Sequence, residues 1–103
     1  MDNNYFIVEN GKIIKYLGKS KEIEIPEEIN GQTITSIGKD AFKDCDFIKS
    51  ISLPNTLIEI QKDAFQKCKD LKFINLPNSL IHVEERIFDD CDSLKYTEYE
   101  KGY

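Results

Sequence analysis

The chain has no tryptophan, a single histidine (His82), one methionine and three cysteines. No run of aliphatic residues and phenylalanine exceeds three positions, far short of the ~20 that a membrane helix needs, so membrane insertion is not expected. Acidic residues outnumber basic ones, 19 to 14. The net charge of −5 argues against holding bare nucleic acid or an anionic membrane by bulk electrostatics. Met1-Asp2-Asn3-Asn4 is acidic and polar where a secretory signal needs basic residues and then an apolar stretch. The expected location is the cytoplasm for the chain as given, and the secreted or cell-surface compartment if it is a piece of a longer protein. An odd number of cysteines rules out a complete disulfide framework, and no C-x-x-C spacing is present. There is no phosphate-binding loop, dinucleotide fingerprint or nucleophile elbow. One histidine outside any catalytic constellation completes the case for a non-enzyme with no cofactor and no metal.

What is present is a repeat. Asp40-Ala41-Phe42-Lys43-Asp44-Cys45 returns as Asp63-Ala64-Phe65-Gln66-Lys67-Cys68 and again as Arg86-Ile87-Phe88-Asp89-Asp90-Cys91, at a step of 23 residues. A fixed period of this size signals stacked coils, each of which needs a neighbour to bury its apolar face. Further columns obey the step: Ile37, Ile60 and Val83; Ile48, Leu71 and Leu94; Ile51, Ile74 and Thr97; Leu53, Leu76 and Tyr99. The alternation Ile51, Leu53 and Ile74, Leu76 marks half-buried strands. Pro54-Asn55 and Pro77-Asn78 end those strands and turn the chain. Leu57 and Ile60 point inward again. Asp40, Asp63 and Arg86 then stand near the start of an expected short helical turn, where aspartate can cap free amides.

The first residues depart from the unit. Tyr5 to Val8 reads as a strand, Asn10-Gly11 as a hairpin turn, and Ile13 to Tyr16 as the return strand. Ile23-Glu24-Ile25-Pro26 resembles the strand end of the unit but lies five residues out of register, with Glu27 to Gly31 as the insert and Asn30-Gly31 as a second turn. Residues 1–22 are therefore expected to be a β-hairpin cap and residues 23–103 the solenoid, within one domain.

The unit, with A-F-x-x-C, L-P-x-x-L and Ile37-Gly38, closely resembles the BspA-type leucine-rich repeats. Asn10-Gly11, Lys15-Tyr16-Leu17-Gly18 and Ile25-Pro26 are similar to the lead-in often found before such repeats. The resemblance covers roughly residues 21–99. It implies a right-handed α/β solenoid of ~3 coils with short strands and short helical turns. It also implies protein binding, often on secreted or surface proteins used for attachment.

The outward strand slots are the candidate site. They form three columns: Lys49, Lys72, Lys95; Ser50, Phe73, Tyr96; and Ser52, Asn75, Glu98. Phe73 and Tyr96 are expected to be neighbouring exposed aromatics beside a lysine row, the usual make-up of an interface anchor. With them, Lys49, Lys72, Lys95, Asn75 and Glu98 are the partner-binding candidates, and the partner is another protein. Ile58 and Ile81 form a weaker apolar pair. The acids Glu84, Glu85, Asp89, Asp90 and Asp92 support a different reading. They belong to a C-terminal stretch from Glu84 onward with seven acids against three bases. Such a stretch could mimic phosphates and block a basic groove of a nucleic-acid enzyme, as a small intracellular inhibitor of phage or mobile-element type would. A third reading is a fragment of a longer bacterial surface or adhesion protein, self-associating through its C-terminal coil. Cys45, Cys68 and Cys91 form one column and are read as small buried hydrophobes rather than a metal ladder or redox pair. His82 shares the slot of Ser36 and Glu59 and is expected at the surface.

Overall fold

Two Asn-Gly pairs set the local geometry of the first third. Asn10 and Gly11 sit at φ 51° and 77°, and Asn30 and Gly31 at 52° and 79°. A left-handed pair of this kind suits a two-residue hairpin, because its twist matches that of the strands it joins. The first pair folds β1 (Phe6–Glu9) antiparallel onto β2 (Lys12–Tyr16). Next comes β3 (Glu22–Glu24), and the second pair joins β4 (Glu28–Ile29) to β5 (Gln32–Thr33). The insert is thus a miniature hairpin set into one coil, and it buries Ile29 in the core. These elements belong to a computed structural model that describes residues 5–94 and the strand at 96–99.

The remaining strands alternate between two walls. β6 (Ser36–Ile37), β8 (Glu59–Ile60) and β10 (His82–Val83) extend the hairpin into a five-stranded sheet of order β1-β2-β6-β8-β10. β3, β7 (Ser50–Ser52), β9 (Phe73–Leu76) and β11 (Tyr96–Tyr99) form the second sheet, parallel throughout. Register follows the period: Ser36 faces Glu59 and then His82, and Ser50 faces Phe73 and then Tyr96. Ile51, Leu53, Ile74 and Leu76 from one wall meet Ile13, Ile37 and Ile60 from the other in a single buried cluster.

The third side of each coil corrects the expectation of short helical turns. Residues 39–44 and 62–67 contain no helix; each segment is a chain of tight turns. Ala41 N donates to Gly38 O, Lys43 N to Asp40 O and Cys45 N to Phe42 O, at 3.1–3.2 Å. Asp40 and Asp44, Asp63 and Lys67, and Arg86 and Asp90 all have φ between 59° and 65°. A left-handed residue at every fourth position breaks an α-helical ladder, so Asp40, Asp63 and Arg86 are turn residues, not helix caps. The physical reason is hydrogen bonding between coils. Phe42 N donates to Ala64 O at 2.7 Å, Phe65 N to Ile87 O at 3.0 Å, and Lys67 N to Asp89 O at 2.8 Å. A helix would have turned these amides along its own axis.

The rings that follow those amides lie in single file. Phe42 and Phe65 have centroids 5.3 Å apart and Phe65 and Phe88 5.9 Å, with interplanar angles of 25° and 21°. The file begins earlier than the repeat does. Tyr16 stacks on Phe42 at 5.5 Å, and Phe6 tilts against Tyr16 at 5.2 Å. Tyr16 N donates to Ala41 O, the same bond that Phe42 and Phe65 make to the next coil, so the hairpin supplies the missing first ring. Gly18 lies over that ring; a Cβ there would come within 2.5 Å of Tyr16 Cζ.

Two outcomes follow from this packing. Phe65→Ala should destabilise the chain by ~3–5 kcal/mol in urea unfolding, and Phe88→Ala by clearly less, because Phe65 is fully buried between two rings while Phe88 is half-buried. Lys67→Val should cost about 1–2 kcal/mol by the same measurement, whereas Lys67→Gly should cost nothing or stabilise, because glycine alone takes the left-handed backbone at φ 62° without strain and a β-branched side chain resists it most.

Candidate interaction surface

In β3, β7 and β9 the residues Ile23, Ile51, Ile74 and Leu76 enter the core and the alternate ones face outward. Glu22, Ser50 and Phe73 stand side by side across β3, β7 and β9, with Glu24 beside Ser52 one step along. Phe73 is 51% exposed. Next to it lies a shallow groove of about 430 Å³ lined by Ile23, Ser50, Ile51, Ser52, Ile74 and Asn75 together with the ring itself. Serines at two of the outward slots leave this space, since larger side chains at Ser50 and Ser52 would fill it.

The lysine row extends one coil further than the repeat suggests. Lys49 N donates to Lys21 O at 2.6 Å and Lys72 N to Lys49 O at 2.8 Å, which places Lys21, Lys49 and Lys72 at equivalent points of successive coils. Lys21 was hidden because the insert lengthens the step from 21 to 49 to 28 residues. Lys21 and Lys49 are exposed and Lys72 is half-buried. Lys95 lies outside the described residues. Tyr96 and Glu98 are placed by strand register alone, opposite Phe73 and Asn75.

Asn75 has another task. Its Oδ1 accepts from Leu53 N at 2.6 Å and its Nδ2 donates to Leu53 O at 3.1 Å. The β7–β9 ladder stops at the pair Ile51 and Ile74, and the asparagine amide continues it in place of backbone. A partner would meet this side chain already engaged at both ends.

The acidic candidates do not form one uniform surface. Glu84 Oε1 accepts from Lys62 N at 2.7 Å, and Asp89 Oδ2 accepts from Gln66 Nε2 at 3.2 Å. Glu85, Asp90 and Asp92 are exposed. Ile58 and Ile81 are exposed to 43% and 76% on the margin of the other sheet. The cysteines are free thiols in one column: Cys68 Sγ donates to Phe42 O at 3.1 Å and Cys91 Sγ to Phe65 O at 3.0 Å. A hydrogen bond with Cys91 and burial together push the Cys68 thiol up, and burial pushes Cys45 up. Both therefore stay protonated and are poor nucleophiles. One grouping was missed entirely: Glu59, His82 and Glu84 bring potential metal-ligand atoms within 4.8 Å of one another. The 23-residue step from 59 to 82 was the available signal.

Stacked parallel rungs of this kind make the chain a solenoid repeat protein. The chain belongs to the BspA-type leucine-rich repeat family, whose model, described as "BspA type Leucine rich repeat region (6 copies)", matches residues 13–103. Among solved structures, a leucine rich repeat protein of T. pallidum superposes with a TM-score of 0.86 at 29% identity, covering 91% of this chain and 47% of that one. A leucine rich cell surface protein from Faecalibacterium prausnitzii A2-165 gives 0.78 at 25% identity, covering 96% and 31% respectively. A leucine-rich repeat protein from Bacteroides ovatus ATCC 8483 gives 0.70 at 30%, covering 84% and 24%. The chain thus spans about half the length of the first of these proteins, at 47%, and less of the other two. No curated protein sequence gives a significant match.

The division of labour on this face is testable by urea unfolding. Asn75→Ala should cost about 1–3 kcal/mol, since it strands the buried Leu53 amide. Phe73→Ala, at a half-exposed ring, should cost under about 1 kcal/mol.

Proposed function

We propose that the chain is a non-enzymatic binding scaffold that takes a protein partner on the outer face of β3, β7, β9 and β11. The observation that carries this reading is the shallow groove beside Phe73, where one exposed ring stands next to Ser50, Ser52 and Asn75 on a backbone tied from coil to coil. An aromatic ring at the lip of such a groove offers large contact area at small entropic cost, and pre-built geometry spares the partner the cost of ordering it. The lysines on one flank and Glu22 and Glu24 on β3 give the strip a sign at each side, which favours one orientation of a partner segment. Residues 1–22 act as the closing end of the stack and residues 23–103 as the repeating body. A cell-surface setting is supported by the F. prausnitzii relative, which is described as a cell surface protein.

With the folded chain as bait, Phe73→Ala should weaken partner capture by about 30-fold while leaving the unfolding midpoint nearly unchanged. Capture that survives Phe73→Ala but collapses with added salt, and is lost on neutralising Glu85, Asp90 and Asp92, would move the binding site to the acidic side.

A further inference from the structure

The other sheet carries a second cluster that the groove around Phe73 does not use. Ser36, Glu59 and His82 lie side by side on β6, β8 and β10, and Glu84 follows directly after β10. His82 Nε2 is 3.5 Å from Glu84 Oε2. Both carboxylates are held in place through one oxygen. Ser36 Oγ and Gln61 Nε2 donate to Glu59 Oε1 at 3.0 and 3.3 Å, and Lys62 N donates to Glu84 Oε1 at 2.7 Å. Ser36 itself is buried, so its hydroxyl bond fixes the Glu59 head against the sheet.

We propose that Glu59, His82 and Glu84 bind a divalent cation of the zinc class. One imidazole with two carboxylates is a ligand set that such ions take, with a further position left for water or an incoming group. Two ligands on a tetrahedral ion with bonds of about 2.1 Å lie about 3.4 Å apart. The His82–Glu84 pair stands at 3.5 Å already, and the ligand atoms of all three residues lie within 4.8 Å of one another. Relative to that spacing, the separations among the three residues exceed a tetrahedral edge by at most about 1.4 Å. The donors on Ser36, Gln61 and Lys62 orient the ligands from behind, as outer partners of metal sites do. Calcium is a poor fit, since it seeks six to eight oxygens. The His82 side chain is 60% exposed, so the open position of the ion would face solvent. The bound ion would bridge β8 and β10, and it would place a Lewis acid on the sheet that does not carry Phe73.

Calorimetric titration of the untagged, metal-stripped full chain with Zn²⁺ alone, at neutral pH, tests this. Saturable binding of one ion per chain is expected, together with a raised melting temperature. His82→Ala, at an exposed position, and Glu59→Gln, which keeps an acceptor for Ser36, should each weaken binding at least about tenfold. Glu85→Gln and Cys91→Ser should leave it unchanged. The Co²⁺ adduct should lack thiolate-to-metal charge-transfer absorption. Absence of one-to-one binding would overturn the proposal. So would binding that persists in His82→Ala, or binding that disappears in Cys91→Ser.

Discussion

Each aromatic ring of the repeat leaves water only because another ring lies above or below it. Phe42 and Phe65 are fully buried within the file, while Phe88 is half-buried. This one constraint propagates outward. To stack rings, the coils must rise by nearly the same step, which lets strands pair in parallel on two walls and lets turn amides reach carbonyls of the next coil. The same constraint explains the hairpin. A stack that began at Phe42 would expose its lower face, and Phe6 and Tyr16 cover it from a segment with a different sequence pattern.

The turn runs show the cost of that arrangement. Left-handed backbone at Asp40, Asp44, Asp63, Lys67, Arg86 and Asp90 is unfavourable for side chains other than glycine, with asparagine and aspartate the most tolerant. Four of the six are aspartate. Lys67 and Arg86 are not; at Lys67 the bond from its amide to Asp89 O offsets the strain, and at Arg86 the ion pair with Asp63 at 3.5 Å does so.

The two sheets present unlike faces built from the same rung spacing. On one, small serines beside a large ring create a concave strip. On the other, Ser36, Glu59 and His82 place a hydroxyl, a carboxylate and an imidazole side by side, with Glu84 at their edge. In a repeat, substitution at one slot meets only the same slot of the neighbouring coils. The interior can then stay uniform while the surfaces acquire different chemistry. Asn75 marks the boundary between these roles, an outward residue whose amide has been drawn into the ladder.

The sequence by itself determined the step, the columns and which residues face inward, because burial in a stack depends on residue type at a fixed interval. Ile51, Leu53, Leu57, Ile60, Phe65, Leu71, Ile74 and Leu76 are all buried where the period puts them. It also marked both Asn-Gly turns, whose backbone preference is local. Tertiary structure alone decided the rest. The expected helical turns became tight-turn runs, because amides had better partners in the next coil than in their own segment. Tyr16 joined the ring file and Lys21 the lysine row across an offset that no fixed interval reveals. Asn75 passed from surface candidate to ladder bond, and Glu59, His82 and Glu84 converged, because side-chain hydrogen bonds depend on distances between coils that spacing along the chain does not encode.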